Sequence, residues 1–405
     1  MPFTKIAPKS GLFTDGTRYS AQGTWYDSDK VRFRKGFAEK IGGWVKFVLA
    51  TFSGTARHLH DWVTDSGSKY VGVGTNLKLY VSLGNSYYDI TPIRTTITLG
   101  TNKIAAVDET SVVTIDTTAA HGAVVGDYVT LAGATATAGI GTGSLNTEHR
   151  IVALGDPDNA APTTKFRVVC DAQATSSASG GGASVVATFQ INSGLDTYVS
   201  ASGWGSDTWG SGTWGSGAGL GQANQLRLWS MVNFGDDMIA NVRQGNIYYW
   251  DESAGTAARA VPLSGITRRS ITLGANPIVT ASGSTIITIT DKGGHGAGVG
   301  DTVTLAGSAA VGGITAARIN VEVTVASTPT KTTWTADLGG ANASSTATGG
   351  GTGVAVVYTA GIFYTPTACT QVMMSDVARH VIAIGCNPIG STTINPLFVR
   401  WCSSE

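Results

Sequence analysis

Gly126-Asp-Tyr-Val-Thr-Leu-Ala-Gly133 returns later in the chain as Gly300-Asp-Thr-Val-Thr-Leu-Ala-Gly307. The likeness extends outward from this octapeptide in both directions. Ile97-Thr-Leu-Gly-Thr-Asn102 matches Ile271-Thr-Leu-Gly-Ala-Asn276, and Val113-Thr-Ile115 matches Ile287-Thr-Ile289. His121-Gly122 matches His295-Gly296, and Asn146-Thr-Glu148 matches Asn320-Val-Glu322. The offset holds at 174 residues, as 271 − 97 and 320 − 146 both show. Later Gly180-Gly-Gly182 pairs with Gly349-Gly-Gly351, so a short deletion separates the copies there. Val129 with Leu131, and Val303 with Leu305, alternate with a period of two, which predicts half-buried strands. Each copy therefore reads as a small β-sandwich or barrel, with its Gly-Ser-Thr-rich ends in surface loops.

Three other stretches share a different pattern. His60-Asp-Trp-Val, Lys69–Gly74, Leu77–Val81 and Tyr87–Thr91 predict four short antiparallel strands, as one propeller blade requires. Asp237–Asn241, a turn at Gln244-Gly245 and Asn246–Asp251 predict a second such unit; Val377–Gly385 and Pro396–Trp401 predict a third. Each ends a strand near an aromatic: Tyr80, Trp250 or Trp401. Thr370–Val377 is read as the lead-in to a strand. The expected fold is all-β: a β-propeller-like body, incomplete within the chain, carrying two duplicated inserted β domains. The boundaries are 1–95 for the N-terminal strands and first blade, 96–192 for the first insert, 193–267 for the second blade, 268–360 for the second insert, and 361–405 for the third blade. The run Trp204-Gly-Ser-Asp-Thr-Trp209-Gly-Ser-Gly-Thr-Trp214-Gly marks the seam where the chain returns from the first insert to the body.

Composition narrows the function. Gly 54 against Pro 11 suits short strands joined by tight turns. Charged residues are 13%, against about 25% in ordinary soluble domains, which fits a durable assembly. Residues 1–60 hold ten basic and four acidic side chains, a balance of +6, in a chain of zero net charge. Such an end meets an acidic partner or nucleic acid, or is a solvated face. The cysteines, Cys170, Cys369, Cys386 and Cys402, form no C-x-x-C pair and read as buried free thiols. The sequence shows neither a secretory signal nor a long apolar span, so synthesis in a cytoplasm is expected.

No catalytic motif is present, and no enzyme activity, cofactor or metal is expected. His121 with Asp127, and His295 with Asp301, are the pairs that the duplication preserves. Turn chemistry explains them, the carboxylate capping its own turn, because two ligands make no metal site. His58 and His60 share a strand face beside Trp62 and read as packing residues. Trp204, Trp209 and Trp214 read as packed ribbon or subunit contact, with sugar stacking second. No Lys or Arg lies between Ile191 and Leu226, which argues against a nucleic-acid platform there.

Gly11 to Trp44, with Tyr26-Asp-Ser-Asp-Lys-Val-Arg-Phe-Arg-Lys-Gly36 and Glu39-Lys-Ile-Gly-Gly-Trp44, resembles the N-terminus of a tail protein family of short-tailed bacteriophages. So do the Trp204–Trp214 run, Leu226-Arg-Leu-Trp-Ser with Asn233-Phe-Gly-Asp-Asp237, and Ile247-Tyr-Tyr-Trp-Asp251. These look like tail nozzle or DNA-stabilisation proteins; the inserts lie outside the family core. The resemblance implies a virion protein in a homo-hexameric ring below the head-to-tail adaptor. It implies contacts with the adaptor and with tail fibre or needle proteins. Double-stranded DNA would be retained and then passed through the lumen without sequence-specific binding. Arg32, Arg34 and Lys35 are then the expected adaptor contact, since a strongly basic lumen would grip phosphate. Three units fall short of the roughly four to eight blades of a closed propeller. That leaves a short body, a remainder on another chain, or an arc completed by neighbours. The alternative function is a receptor- or glycan-binding tail fibre protein.

Overall fold

The structure, a computed structural model, describes residues 8–43, 45–46, 48–197, 226–340, 342–375, 377 and 379–402. Trp204, Trp209 and Trp214 lie outside the described residues. The fold is all-β, built of several antiparallel sheets.

The chain divides into two units, Met1–Leu49 and Ala50–Glu405. In the first, strand Val31–Arg34 pairs with Phe37–Lys40 across Lys35-Gly36. Both turn residues have positive φ, +50° and +84°, the conformation that a two-residue hairpin turn demands. Val31 and Phe33 take the half-buried face, and Arg32 and Arg34 the exposed one.

The second unit contains three small meanders. The first runs Ala56–Val63, Lys69–Thr75, Leu79–Leu83, Ser86–Asp89, each strand paired with the next. The second runs Trp229–Phe234, Asp237–Val242, Ile247–Trp250, Val261–Pro262. The third has three strands, Cys369–Met374, Val381–Cys386 and Val399–Trp401. Among the described residues these sheets form no propeller.

The middle meander is buried on both faces, which explains its nearly unbroken apolar run from Met238 to Val242. Met238, Ala240 and Val242 pack with Trp62, Tyr70, Leu79 and Val81 of the first meander. Ile239, alternate in the strand, packs with Val372, Val381 and Ala383 of the third. Trp250 closes the first interface, 5.6 Å from Tyr70 and 6.3 Å from Trp62 between ring centroids. Full burial of such side chains contributes about 1.5–3 kcal/mol each. Gly74 permits the closest approach: a Cβ there would lie 2.5 Å from Trp229 Cγ. Trp229 Nε1 donates to the Thr75 carbonyl at 2.7 Å, satisfying the buried indole.

Between the meanders stand two eight-stranded curled sheets of identical order. The first runs Ala178–Gly180, Ile104–Ala106, Val112–Asp116, Lys165–Val169, Glu148–Leu154, Tyr128–Ala132, Val186–Gln190, Ile93–Thr98. The second runs Ala347–Gly349, Ile278–Thr280, Ile286–Thr290, Thr333–Asp337, Glu322–Thr330, Thr302–Ala306, Ala355–Thr359, Thr267–Thr272. The first and last strands of each module pair with one another, so the chain leaves and rejoins the body at one place. A bulge between Ile151 and Ala153 bends one long strand, and the second copy bends between Val325 and Ser327, again 174 residues on, since 325 − 151 = 174. Bulges increase local twist, and this one lets the sheet curl around a single core. That core contains Phe166 and Phe189 in the first copy, and Trp334 and Tyr358 in the second.

Two single-turn helices, Thr142–Leu145 and Ala316–Ile319, occupy equivalent places. Four residues show no helical period, so periodicity could not reveal them. Asn146, the residue after the first helix, accepts from Ala134 N at 2.7 Å and donates to its carbonyl at 2.8 Å. Asn320 does the same with Ser308. One expectation needs correction: Cys170, Cys369 and Cys386 are buried, but Cys402 is exposed. It stands one residue beyond Val399–Trp401, the edge strand of the third meander.

Candidate functional site

The second and third meanders and the foot of the second module enclose a cleft of about 350 Å³. Its apolar wall is Phe234, Ile239 and Ile247 from the second meander, Val381 and Ala383 from the third, and Leu263 and Ile266 from the connection. Period-two alternation puts Ile247 and Tyr249 on this side and Tyr248 on the other. Besides Phe234, three aromatic rings line the cleft: Trp401, Tyr364 and Tyr249. Trp401 is 70% exposed and Tyr364 53%. Tyr249 is half-buried, and its hydroxyl donates to Asp237 Oδ2. Burial, then the Asp237 carboxylate, raises its pKa well above the ordinary phenol range.

Two guanidinium groups complete the lining. Arg268 donates from Nη2 to the His295 carbonyl at 2.6 Å. Arg400 donates from Nη1 to the Asn387 carbonyl at 3.0 Å and from Nη2 to the Tyr364 carbonyl. Backbone acceptors thus hold both side chains in place without neutralising them. No Asp or Glu lines the cleft. The sequence marked Trp401 only as a strand-ending aromatic and missed Tyr364, Arg268 and Arg400. Their convergence joins three separated segments and leaves no local motif.

The sequence-predicted residues fall elsewhere. Arg32, Arg34 and Lys35 are exposed on the N-terminal hairpin, and Arg32 pairs with the cross-strand Glu39 at 3.3 Å. The run containing Trp204, Trp209 and Trp214 lies outside the described residues, but its flanks do not. Leu195 and Leu226 form a parallel bridge.

The repeated His-Asp pairs are turn fasteners. His121 Nδ1 accepts from Ala123 N at 3.0 Å, and Nε2 faces the Lys165 carbonyl at 3.3 Å. His295 repeats this with Ala297 N and the Thr330 carbonyl. Both ring nitrogens are engaged, which fixes the neutral Nε2–H tautomer and leaves no lone pair for a metal. Burial lowers the pKa of His121. Asp127 accepts from Val124 N at 2.8 Å within its turn and from Ser193 N at 2.6 Å beyond the module's last strand. Asp301 accepts from Gly298 N and Phe363 N in the same manner. Each carboxylate therefore caps its turn and ties the returning chain to the module. Of the two histidines on the first strand of the first meander, His60 stacks on Trp62 at 5.8 Å and reaches Asn233 Oδ1 at 3.3 Å. Burial, then the neighbouring His60, lowers the pKa of His58.

No protein-family model matches the chain, and no curated protein sequence does. Among solved structures, it is similar to the phage phi92 endosialidase at 11% identity, over 80% of this chain and 52% of that one, with a TM-score of 0.20. The chain thus spans about half the length of that protein.

Proposed function

We propose that this chain is a bacteriophage tail protein that binds a saccharide at the host surface, through the cleft between the second and third meanders. The observation that carries this reading is the cleft's lining: exposed Trp401 and Tyr364 beside Arg268 and Arg400, over an apolar floor. A sugar ring offers a C–H face that stacks on an aromatic and hydroxyls that accept from guanidinium donors. Most glycosidases hydrolyse with two flanking carboxylates and the lining supplies none, so the reading offered is binding rather than hydrolysis. The tail assignment is supported by the resemblance of the N-terminal and 226–251 segments, which build the hairpin and the doubly buried second meander. A glycan array probed with the whole chain tests the reading. Saturable binding to one glycan class is expected, weakened about tenfold or more in Trp401→Ala, as for lost aromatic anchors. An array blank for the wild-type chain refutes it.

The second reading is a ring-forming nozzle subunit. It is favoured by exposed apolar side chains of the third meander region, Leu397 at 92% and Met373 at 43%, which a neighbouring copy would cover. Electron microscopy decides: sixfold rings support it, and a monodisperse monomer at high concentration refutes it.

A further inference from the structure

In the third meander Cys369 opens the first strand and Cys386 closes the second, and the antiparallel register sets them directly opposite each other. The backbone around them fixes the kind of pair. Asn387 N donates to the Ala368 carbonyl at 3.1 Å, so the neighbouring position is hydrogen-bonded. Cys369 N points away from the second strand, to the Gly245 carbonyl at 3.0 Å, and Cys386 N points to the Phe398 carbonyl at 3.3 Å. The cysteines therefore occupy a non-hydrogen-bonded site. At such a site the Cα atoms stand about 4.5 Å apart and the two side chains share a face. A disulfide spans Cα separations of about 4.4–6.8 Å, so the site falls within its reach.

Side chains pin the register on both sides of the pair. Asn387 Oδ1 accepts from Thr367 N at 3.1 Å and from Ala368 N at 3.0 Å, and Thr370 Oγ1 donates to the Gly385 carbonyl at 3.2 Å. Both thiols are fully buried, in one cluster with Ile239 and Val372. Of the four cysteines only these two stand opposite each other. Cys170 belongs to the core of the first module, and Cys402 lies beyond the edge strand, where its backbone N–H donates to the Val381 carbonyl.

We propose that Cys369 and Cys386 are the two halves of a latent disulfide, which an oxidising medium closes across the first two strands of the third meander. The oxidant is a small disulfide such as glutathione disulfide. One protein thiolate attacks a glutathione sulfur, breaks the glutathione S–S bond and releases one glutathione thiolate. The second protein thiolate attacks the protein sulfur of that mixed disulfide and releases the other. The two cysteine sulfurs lose two electrons, the two glutathione sulfurs gain them, and the two protons pass to the released thiolates. Burial keeps the folded pair slow, because it raises both thiol pKa values and excludes the oxidant. Exchange therefore proceeds through opening of the third meander, whose outer strand is only three residues long. In a reducing compartment the dithiol persists, and in an oxidising one each opening lets the bond form. The inference does not depend on the saccharide reading of the cleft.

The test uses the full chain carrying Cys402→Ser, which removes the exposed thiol and keeps an acceptor for Val381 N. It is incubated with glutathione disulfide in buffer and in urea just below the unfolding transition, and mass spectrometry of the alkylated digest reads the linkage. One intrachain Cys369–Cys386 disulfide is expected, formed faster in urea than in buffer, with no linkage to Cys170. After urea is removed, the oxidised chain is expected to melt about 4 °C above the reduced one, the shift that closing a loop of about 15 residues gives a chain of this size. Reductant should restore the lower value. No Cys369–Cys386 linkage in urea, Cys170 as the main partner of either thiol, or an oxidised chain that melts no higher than the reduced one would each overturn the proposal.

Discussion

Replacing Lys78 by Met is expected to destabilise the chain by about 3 kcal/mol. Lys78 sits on the first meander with its side chain 6% exposed. Its ammonium group donates to Asp89 at 2.8 Å within the meander and to Glu148 at 2.5 Å on the first inserted module. It also lies 4.4 Å from the Tyr128 ring centroid. One buried cation thus joins body to insert. Burial alone would lower the Lys78 pKa, but the two carboxylates outweigh it and the pKa is raised. Met keeps the stem and removes only the charge. Breaking a buried pair costs about 3–5 kcal/mol when the partner is left alone. Here the partners are not alone. Asp89, 22% exposed, keeps Arg259 at 2.9 Å, and Glu148, 31% exposed, keeps Gln190 at 2.6 Å. The lower end of the range therefore applies. Urea unfolding of wild type, Lys78→Met, Glu148→Gln and the double variant is the assay. The cycle should show coupling of about 1–2 kcal/mol, as for residues in one network. The pH dependence has a definite sign. The raised Lys78 pKa contributes stability below its unfolded value of 10.5 that disappears as pH rises through the folded one. The lowered Asp89 pKa contributes stability above 3.8 that disappears as pH falls through its folded one. Additive single effects, or a Lys78→Met cost below about 0.5 kcal/mol, the usual surface range, would refute the reasoning.

The duplicated glycines give a matched pair of tests. A Cβ on Gly133 or Gly307 would lie 2.4 or 2.2 Å from a backbone carbonyl oxygen, at φ of +76° or +73°. Each Gly→Ala should therefore cost about 3 kcal/mol, against about 1 for Gly84→Ala, where φ is positive but space is open. His121, whose pKa is lowered from 6.5, should hold its full contribution above pH 6.5, lose it as pH falls from 6.5 to the folded value, and change no further below. Thermal melts between pH 8 and pH 5 check this, and a His121→Gln variant should flatten that part of the profile. Native alkylation should modify Cys402 alone. Burial raises the pKa of Cys170 and Cys386, and burial, then Cys386, pushes Cys369 up to about 12. Four thiols should react after unfolding, and modification of more than one in the native chain would contradict the burial pattern.

The sequence by itself determined the local and repeated features. A side-chain period of two is a property of the strand, so Val129 with Leu131, and Val31 with Phe33, announced strands and their faces. Turn chemistry is equally local: Lys35-Gly36 forms the hairpin turn, and Asp127 and Asp301 cap turns within three residues of themselves. A constant 174-residue offset required two copies of one chain path, and both curled sheets have the same strand order. Only the tertiary structure decided how the meanders stack. Met238 and Ile239 are neighbours of similar hydrophobicity, and nothing in the chain says that one faces Trp62 and the other Val372. It also decided against a propeller among the described residues, because sheet-to-sheet packing depends on surfaces far apart in sequence. The cleft belongs to that second class. Trp401, Tyr249 and Arg268 converge from three segments. Such convergence is a property of packing, which has no period to read along a chain.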